Sequence, residues 1–294
     1  MRRRIGRARM SGYRRLLACD LDGTLLTSAG ELTGTVSAAL HRAAAAGIAV
    51  AVITARPRRD VPPDVLARVP ASAHWAHSNG ALLFRPASPV PVRLGGFAPR
   101  QAARLMAAVR EAGPAWSFAL DLTGRTVLVD PFPVAEARYW NDVAVCDWPA
   151  VAALGEPVSK ILVRTGTACD AALVSGLQRA VGDRAVATAS GGRFAELGPR
   201  GATKQDALAR ICAGLGLKPR DAVAVGDGLN DLAMLSAAGT AAAPANAPEE
   251  VRRAADLVLP SNDDDAVAAL VDLLLTGPDP DGHAPGTEHP VTRG

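Results

Sequence analysis

Three short apolar runs in this chain carry no polar alternation, and each stops abruptly at a polar residue. Leu16-Leu17-Ala18-Cys19 meets Asp20, Ile48-Ala49-Val50-Ala51-Val52-Ile53 meets Thr54, and Ala222-Val223-Ala224-Val225-Gly226 meets Asp227. A strand half in water alternates apolar with polar residues; one that does not is buried on both faces, as in a parallel sheet covered by helices. Between the first two runs, Thr33 is an N-cap and Gly47 a C-terminal stop for an Ala-rich stretch, which predicts a helix over 34–46. Strand, helix, strand at this spacing is a βαβ unit with a right-handed crossover. Asp20, Thr54 and Asp227 then share the carboxyl edge, where open α/β sheets bind ligands. The fold class is α/β, with a doubly wound parallel sheet.

The grammar changes further on. A helix over 63–69 leads to a hairpin turning at Asn79-Gly80, the strongest short turn signal in the chain. His74 and His77 spell H-x-x-H, but on a strand they project to opposite faces, so they are not read as metal ligands. Pro and Gly cluster over 86–99. Then come a helix over 99–112, a second hairpin over 116–129, a strand over 158–164, a helix over 169–181 and a strand over 185–189. Hairpins mixed with helices, without βα alternation, mark an α+β unit inserted at about 86–185. The alternating pattern resumes with a helix over 204–214, the strand from Ala222, helices over 230–238, 248–254 and 263–275, and short strands over 241–243 and 257–259. The core is expected at 14–85 and 186–276.

At 294 residues the chain has room for two such units. Apolar residues make up 49% and charged ones 21%, the balance of a globular protein. The formal charge of +3 comes from the N-terminus. Residues 1–15 hold seven arginines and no acid, so the remaining 25 basic and 29 acidic residues leave the body at −4. Residues 1–13 are read as a disordered basic extension and 277–294, rich in Gly, Pro and His, as a disordered tail. Aromatics at 4% argue against a nucleic-acid stacking platform, and no nucleic-acid partner is expected. The Arg-rich start lacks the apolar stretch of a secretion signal, and no run of about 18 uncharged apolar residues predicts a membrane span. Cys19, Cys146, Cys169 and Cys212 are scattered without a C-x-x-C pair, which fits free thiols in a reducing cytoplasm.

Asp20-Leu21-Asp22-Gly23-Thr24 places two carboxylates on either side of one leucine, ahead of a glycine that permits a sharp turn. Acids this close repel unless a cation or a shared proton relieves them, and a hard divalent ion with oxygen ligands does so. Downstream stand Thr54, Lys204 at a helix start, and Gly226-Asp227-Gly228-Leu229-Asn230-Asp231. In this order they resemble the haloacid dehalogenase-like phosphohydrolases, whose motifs are DxDGT, a Ser or Thr at a strand end, a Lys, and GDxxND. The long insert, and Ser78-Asn79-Gly80-Ala81 before it, are similar to the C2-capped, Cof-type (IIB) branch. Ala55 and Gln205 depart from its usual wording, and neither removes a reacting group.

The resemblance implies a Rossmann-like core with an inserted α+β cap, and a Mg²⁺-dependent phosphatase acting on a small phosphorylated metabolite of the sugar-phosphate class. It implies Asp20 as nucleophile, forming an aspartyl-phosphate, and Asp22 as acid and base. Thr54, Lys204 and Asn230 would hold the phosphate. Asp20, Asp227, Asp231 and the backbone carbonyl of Asp22 would serve the metal. A phosphomutase using the same intermediate is the nearest alternative. A non-catalytic sensor of a phosphorylated ligand is a third, against which the intact acid set weighs. Taken singly, Lys204 reads as a solvated charge, Thr54 and Asn230 as caps, and Asp231 as a helix-start charge; their roles rest on the motif order. Arg56, Arg58 and Arg59 could be drawn as a phosphate cradle, but exposed arginines abound in this chain and the three are not read as one. Arg125, Lys160 and Arg164 are cap candidates for choosing the leaving group.

Overall fold

The computed structural model describes residues 16–276 except 114, 115, 130, 131, 133–139, 165, 167, 168 and 190–193. The expected basic extension and Gly/Pro/His-rich tail lie outside the described residues. An eight-stranded sheet forms the core. It is ordered Leu257–Leu259 (β14), Thr240–Pro244 (β13), Ala222–Val225 (β12), Leu16–Cys19 (β1), Ala49–Ile53 (β2), His74–His77 (β3), Leu82–Phe84 (β4) and Val92–Arg93 (β5). β14 through β3 pair in parallel, and β4 and β5 add antiparallel.

Burial on both faces is visible residue by residue. Leu17 and Cys19 of β1 pack with Gly34–Ala45 (α1) and Ala266–Thr276 (α8) on one side. Leu16 and Ala18 pack with Lys204–Gly214 (α5), Leu232–Ala237 (α6) and Glu249–Ala254 (α7) on the other. A short helix, Pro63–Arg68 (α2), completes the first layer. Thr33 caps α1 by accepting from the Val36 N–H at 3.1 Å, the role its sequence position predicts.

The second sheet is ordered Val186–Ala189 (β10), Phe194–Gly198 (β11), Lys160–Arg164 (β9), Ser117–Asp121 (β6), Thr126–Val129 (β7) and Val143–Cys146 (β8). One face packs on Pro99–Ala112 (α3) and Ala171–Val181 (α4) through Leu105, Met106, Leu177, Phe118 and Ile161. The other face points toward the core and carries Ala119, Leu128 and Leu162 among polar residues. Together the two sheets make an α/β core with an inserted α+β cap.

The cap sheet takes in more chain than the sequence indicated. Strands expected to return to the core after 185 stay in it: β10 pairs β11 and β11 pairs β9, both antiparallel. Pairing is the reason, because Ala195 and Leu197 complete the apolar face under the cap helices. At the other end, β5 joins the core sheet, so residues 92–93, inside the expected insert, are core. The two connections run side by side: a Cβ on Gly95 would meet that of Ala202 at 2.7 Å, and Phe97 bridges Val158. Among the described residues no helix is long and apolar enough to cross a membrane, and all four cysteines are unpaired.

Candidate active site

β1 delivers Asp20 to the carboxyl edge, where its backbone N–H donates to the Val225 carbonyl of β12 at 2.9 Å. The chain then turns tightly: the Leu26 N–H returns to the Leu21 carbonyl, and Gly23 takes φ +70°. Gly23 is required here twice over. Its conformation is left-handed, and a Cβ would lie 2.3 Å from Asp227 Oδ2. Gly226 has a comparable role, since a Cβ there would meet the Asp231 carboxyl carbon at 2.5 Å.

This close approach gathers charge. Carboxylate oxygens of Asp20, Asp227 and Asp231 lie within 4.8 Å of one another. Lys204 at the start of α5 is 2% exposed, and its Nζ is 2.7 Å from both Asp20 Oδ1 and Asp231 Oδ1. Burial opposes its charge, but Asp20 and Asp231 outweigh that and hold the ammonium protonated. Burial first, and Asp231 second, raise the Asp20 carboxyl well above the usual range against the pull of Lys204. Asp227 is pushed up to about 6, chiefly by burial, although the Thr24 hydroxyl donates to its Oδ1 at 2.8 Å. Three acids with one ammonium among them leave negative charge uncompensated. A hard divalent cation fits that donor set.

The other expected residues separate. Asp22 stands outside the three-acid group, gripped by Arg56, whose Nε donates to Oδ2 at 2.8 Å and whose Nη2 donates to Oδ1. Its carboxylate is not placed as a metal ligand, which leaves only its backbone carbonyl for that part. Asp231 is fully committed: Oδ1 takes Lys204 and Oδ2 takes the Gly228 N–H at 2.8 Å. Thr54 is buried at the end of β2, and its hydroxyl accepts from the Arg56 N–H at 3.0 Å in a local turn. Asn230 lines the cleft and donates to Asn79 Oδ1 at 3.3 Å.

The three arginines do not form one cradle. Arg56 holds Asp22, Arg58 lies over the Phe84 ring at 4.7 Å, and Arg59 crosses to the cap. There Arg59 donates to Asp121 Oδ1 at 2.7 Å, the Leu122 carbonyl at 2.9 Å and Thr126 Oγ1 at 2.6 Å. Of the cap candidates, Lys160 faces the cleft, donating to the Ala55 carbonyl at 2.8 Å and pairing with Glu196. Arg125 pairs instead with Glu156 at 3.5 Å.

Sequence reasoning missed Asp121 and Glu196, both buried on the cap face that looks down on the site. Ser78 Oγ donates to Asp121 and Asn79 Nδ2 donates to Glu196. The signal was Ser78-Asn79-Gly80 itself, whose three residues all take positive φ, 54°, 58° and 107°. His77, next to this turn, stacks on Trp75 rather than on His74's side of the strand, and burial lowers its pKa to about 3.

Acids and a lysine gathered at the carboxyl edge of the sheet, beneath a cap, place the chain among the capped α/β proteins. The chain belongs to the haloacid dehalogenase-like hydrolase family, whose model matches residues 17–271. It superposes on SMU.1108c from Streptococcus mutans with a TM-score of 0.78 at 22% identity, covering 89% of this chain and 98% of that one. It superposes on the HAD subclass IIB sugar phosphatase BT4131 with a TM-score of 0.74 at 19% identity, covering 88% and 98%. A phosphoglycolate phosphatase from Methanopyrus kandleri is 55% identical over 56 residues, which are 19% of this chain and 24% of that relative.

Proposed function

We propose that the protein is a Mg²⁺-dependent phosphatase of a small phosphorylated metabolite of the sugar-phosphate class, working through an aspartyl-phosphate on Asp20. The observation that supports this most is the gathering of Asp20, Asp227 and Asp231 within 4.8 Å, with Lys204 between two of them. Similarity to proteins named as phosphatases supports it too.

Asp20 and Asp227 would hold the metal, with Asp231 behind them positioning Lys204. A bound Mg²⁺ supplies charge neutralisation that lets an anionic carboxylate approach a phosphate dianion. Lys204 opposes part of the burial that raises the Asp20 carboxyl and adds positive charge where the phosphoryl oxygens arrive. Asp20 forms a bond to phosphorus as the ester P–O bond breaks, and Asp22 gives its proton to the departing alkoxide. Asp22 then takes a proton from water, which attacks phosphorus, releases inorganic phosphate and restores Asp20. Arg56 holds both Asp22 oxygens in this structure and would have to release one of them for the two transfers. The cap excludes bulk water during the sequence.

The experiment is phosphate release from a panel of sugar phosphates with Mg²⁺, for the wild type and Asp20→Asn. Release by the wild type and its loss in the variant are expected. Undiminished release by Asp20→Asn would refute the nucleophile, and isomer formation without release would make the enzyme a mutase.

A further inference from the structure

We infer that the alcohol half of the substrate is uncharged and carries a planar ring, which lies against Trp140 and Phe194. This rests on the phosphatase reading and deepens it by naming the kind of ester. The cleft over the carboxylates measures about 990 Å³, near the top of the ~300–1,000 Å³ of pockets that take drug-sized ligands. That is more than a phosphorylated hexose fills.

The cap side of this cleft has an apolar wall made by Leu162, Trp140 and Phe194. The Trp140 and Phe194 rings are 5.7 Å apart, and Phe132 stacks on Phe194 at 6.3 Å with 12° between planes. Phe132 is buried, while Trp140 and Phe194 remain partly open to the cleft. Ring faces left open above a polar site mark a surface meant to be covered, and a backing ring fixes them ready for stacking.

Charge points the same way. Among the described residues that line the cleft, every cation is committed. Arg56 holds Asp22, Arg59 holds Asp121, Lys160 holds Glu196, and Lys204 holds Asp20. A leaving group with a carboxylate or a second phosphate would find no unpaired cation there and would face Glu196 and Asp121 instead. Burying an anion without a partner is strongly disfavoured. An uncharged ring meets no such penalty.

The test compares uridine 5′-monophosphate, glucose 6-phosphate and 2-phosphoglycolate with the full chain and Mg²⁺. The expected kcat/KM for the uridine ester is about tenfold above that for the hexose ester, the scale of one base stacked on an aromatic side chain, and the carboxylate ester falls lowest. Trp140→Ala should shrink the uridine-to-hexose ratio by about tenfold, through KM, while Trp140→Phe keeps it. Phe194→Leu serves as a second variant should Trp140→Ala fail to fold, and it should shrink the ratio as well. A ratio near one, a preference for 2-phosphoglycolate, or an equal fall for all esters in Trp140→Ala would overturn the inference. If no ester releases phosphate, the phosphatase reading falls instead. The ring is then judged by calorimetric binding to Asp20→Asn, where equal affinity for the uridine and hexose esters would sink it.

Discussion

Arg59→Met tests whether the cap is electrostatically tied to the core. Arg59 is the partner of Asp121, which is 0% exposed and whose carboxylate, among the described residues, accepts otherwise only from Ser78. Burial raises the Asp121 carboxyl above its usual range, and Arg59 and Lys160 are the charges that pull it back. Methionine keeps the apolar stem of Arg59 but removes its charge, so Asp121 must stay buried and ionised or take up a proton. With an ordinary aspartate near ~3.9, holding that proton at pH 7 costs about 4 kcal/mol, which caps the penalty. The lost bond to the Leu122 carbonyl adds about 1 kcal/mol, and Lys160 offsets part of the charge. The expected destabilisation is about 3–5 kcal/mol, the range for breaking a buried pair.

The sign with pH is decisive. An acid whose folded pKa is raised favours folding at low pH and costs stability as pH climbs past the ordinary carboxylate value. Between pH 7 and pH 5 the variant should therefore regain up to about 2.7 kcal/mol relative to wild type. Urea unfolding followed by tryptophan fluorescence at both pH values measures it. Arg59→Met with Asp121→Asn should recover most of the loss, because no buried charge is then left alone. A penalty under about 1 kcal/mol at pH 7, or one equal at both pH values, would refute the reasoning.

Protons should compete with the metal. With Asp227 at about 6 and Asp20 also raised in the free protein, apparent Mg²⁺ affinity is expected to fall at least about tenfold per unit as pH drops below 6, measured by Mg²⁺ titration of activity at pH 5, 6 and 7. By the same shift, the metal-free protein loses stability as pH rises from the ordinary aspartate range through 6, and Mg²⁺ should restore it. Gly23→Ala, with φ +70° and a Cβ 2.3 Å from Asp227 Oδ2, should cost about 1–3 kcal/mol and weaken Mg²⁺ binding, since Asp227 must move. A variant with unchanged thermal midpoint and Mg²⁺ dependence would contradict that close approach.

The carboxyl edge of the core sheet was legible because the strands that end at Asp20, Thr54 and Asp227 announce themselves locally. An apolar run buried on both faces must end somewhere, and Asp20, Thr54 and Asp227 are where three of them end. The helix that positions Lys204 was readable for the same reason, and the structure starts it with a capping box of Thr203 and Asp206, three residues apart. The cap resisted because its functional residues sit inside strands. Asp121 closes a strand whose burial pattern is unbroken, and Glu196 stands between two apolar neighbours. Their partners Arg59, Ser78 and Asn79 are 43 to 117 residues away, a separation no local pattern spans. The same distance hid the end of the cap, because β11 belongs to it only through pairing with β9.

The turn at Ser78-Asn79-Gly80 joins what the sequence could only list apart. Its backbone N–H groups reach back to the Arg56 and Thr54 carbonyls at 3.1 and 2.9 Å, so it is built onto the strand end that bears the expected phosphate residue. Its side chains reach up to Asp121 and Glu196 in the cap. Positive φ at Ser78 and Asn79 costs on the order of 1–3 kcal/mol each, and buried bonds to carboxylates are of the size needed to offset it. Gly80 can be nothing else, since a Cβ would lie 2.5 Å from the Thr203 carbonyl at the start of the helix that carries Lys204. One strained turn therefore touches the Thr54 strand end, the Lys204 helix and both buried cap acids. A change in the cap that loosens either acid is therefore expected to be felt at the edge that carries Asp20, Thr54 and Lys204, so on the proposed function a cap variant at Asp121 or Glu196 should alter kcat as well as KM.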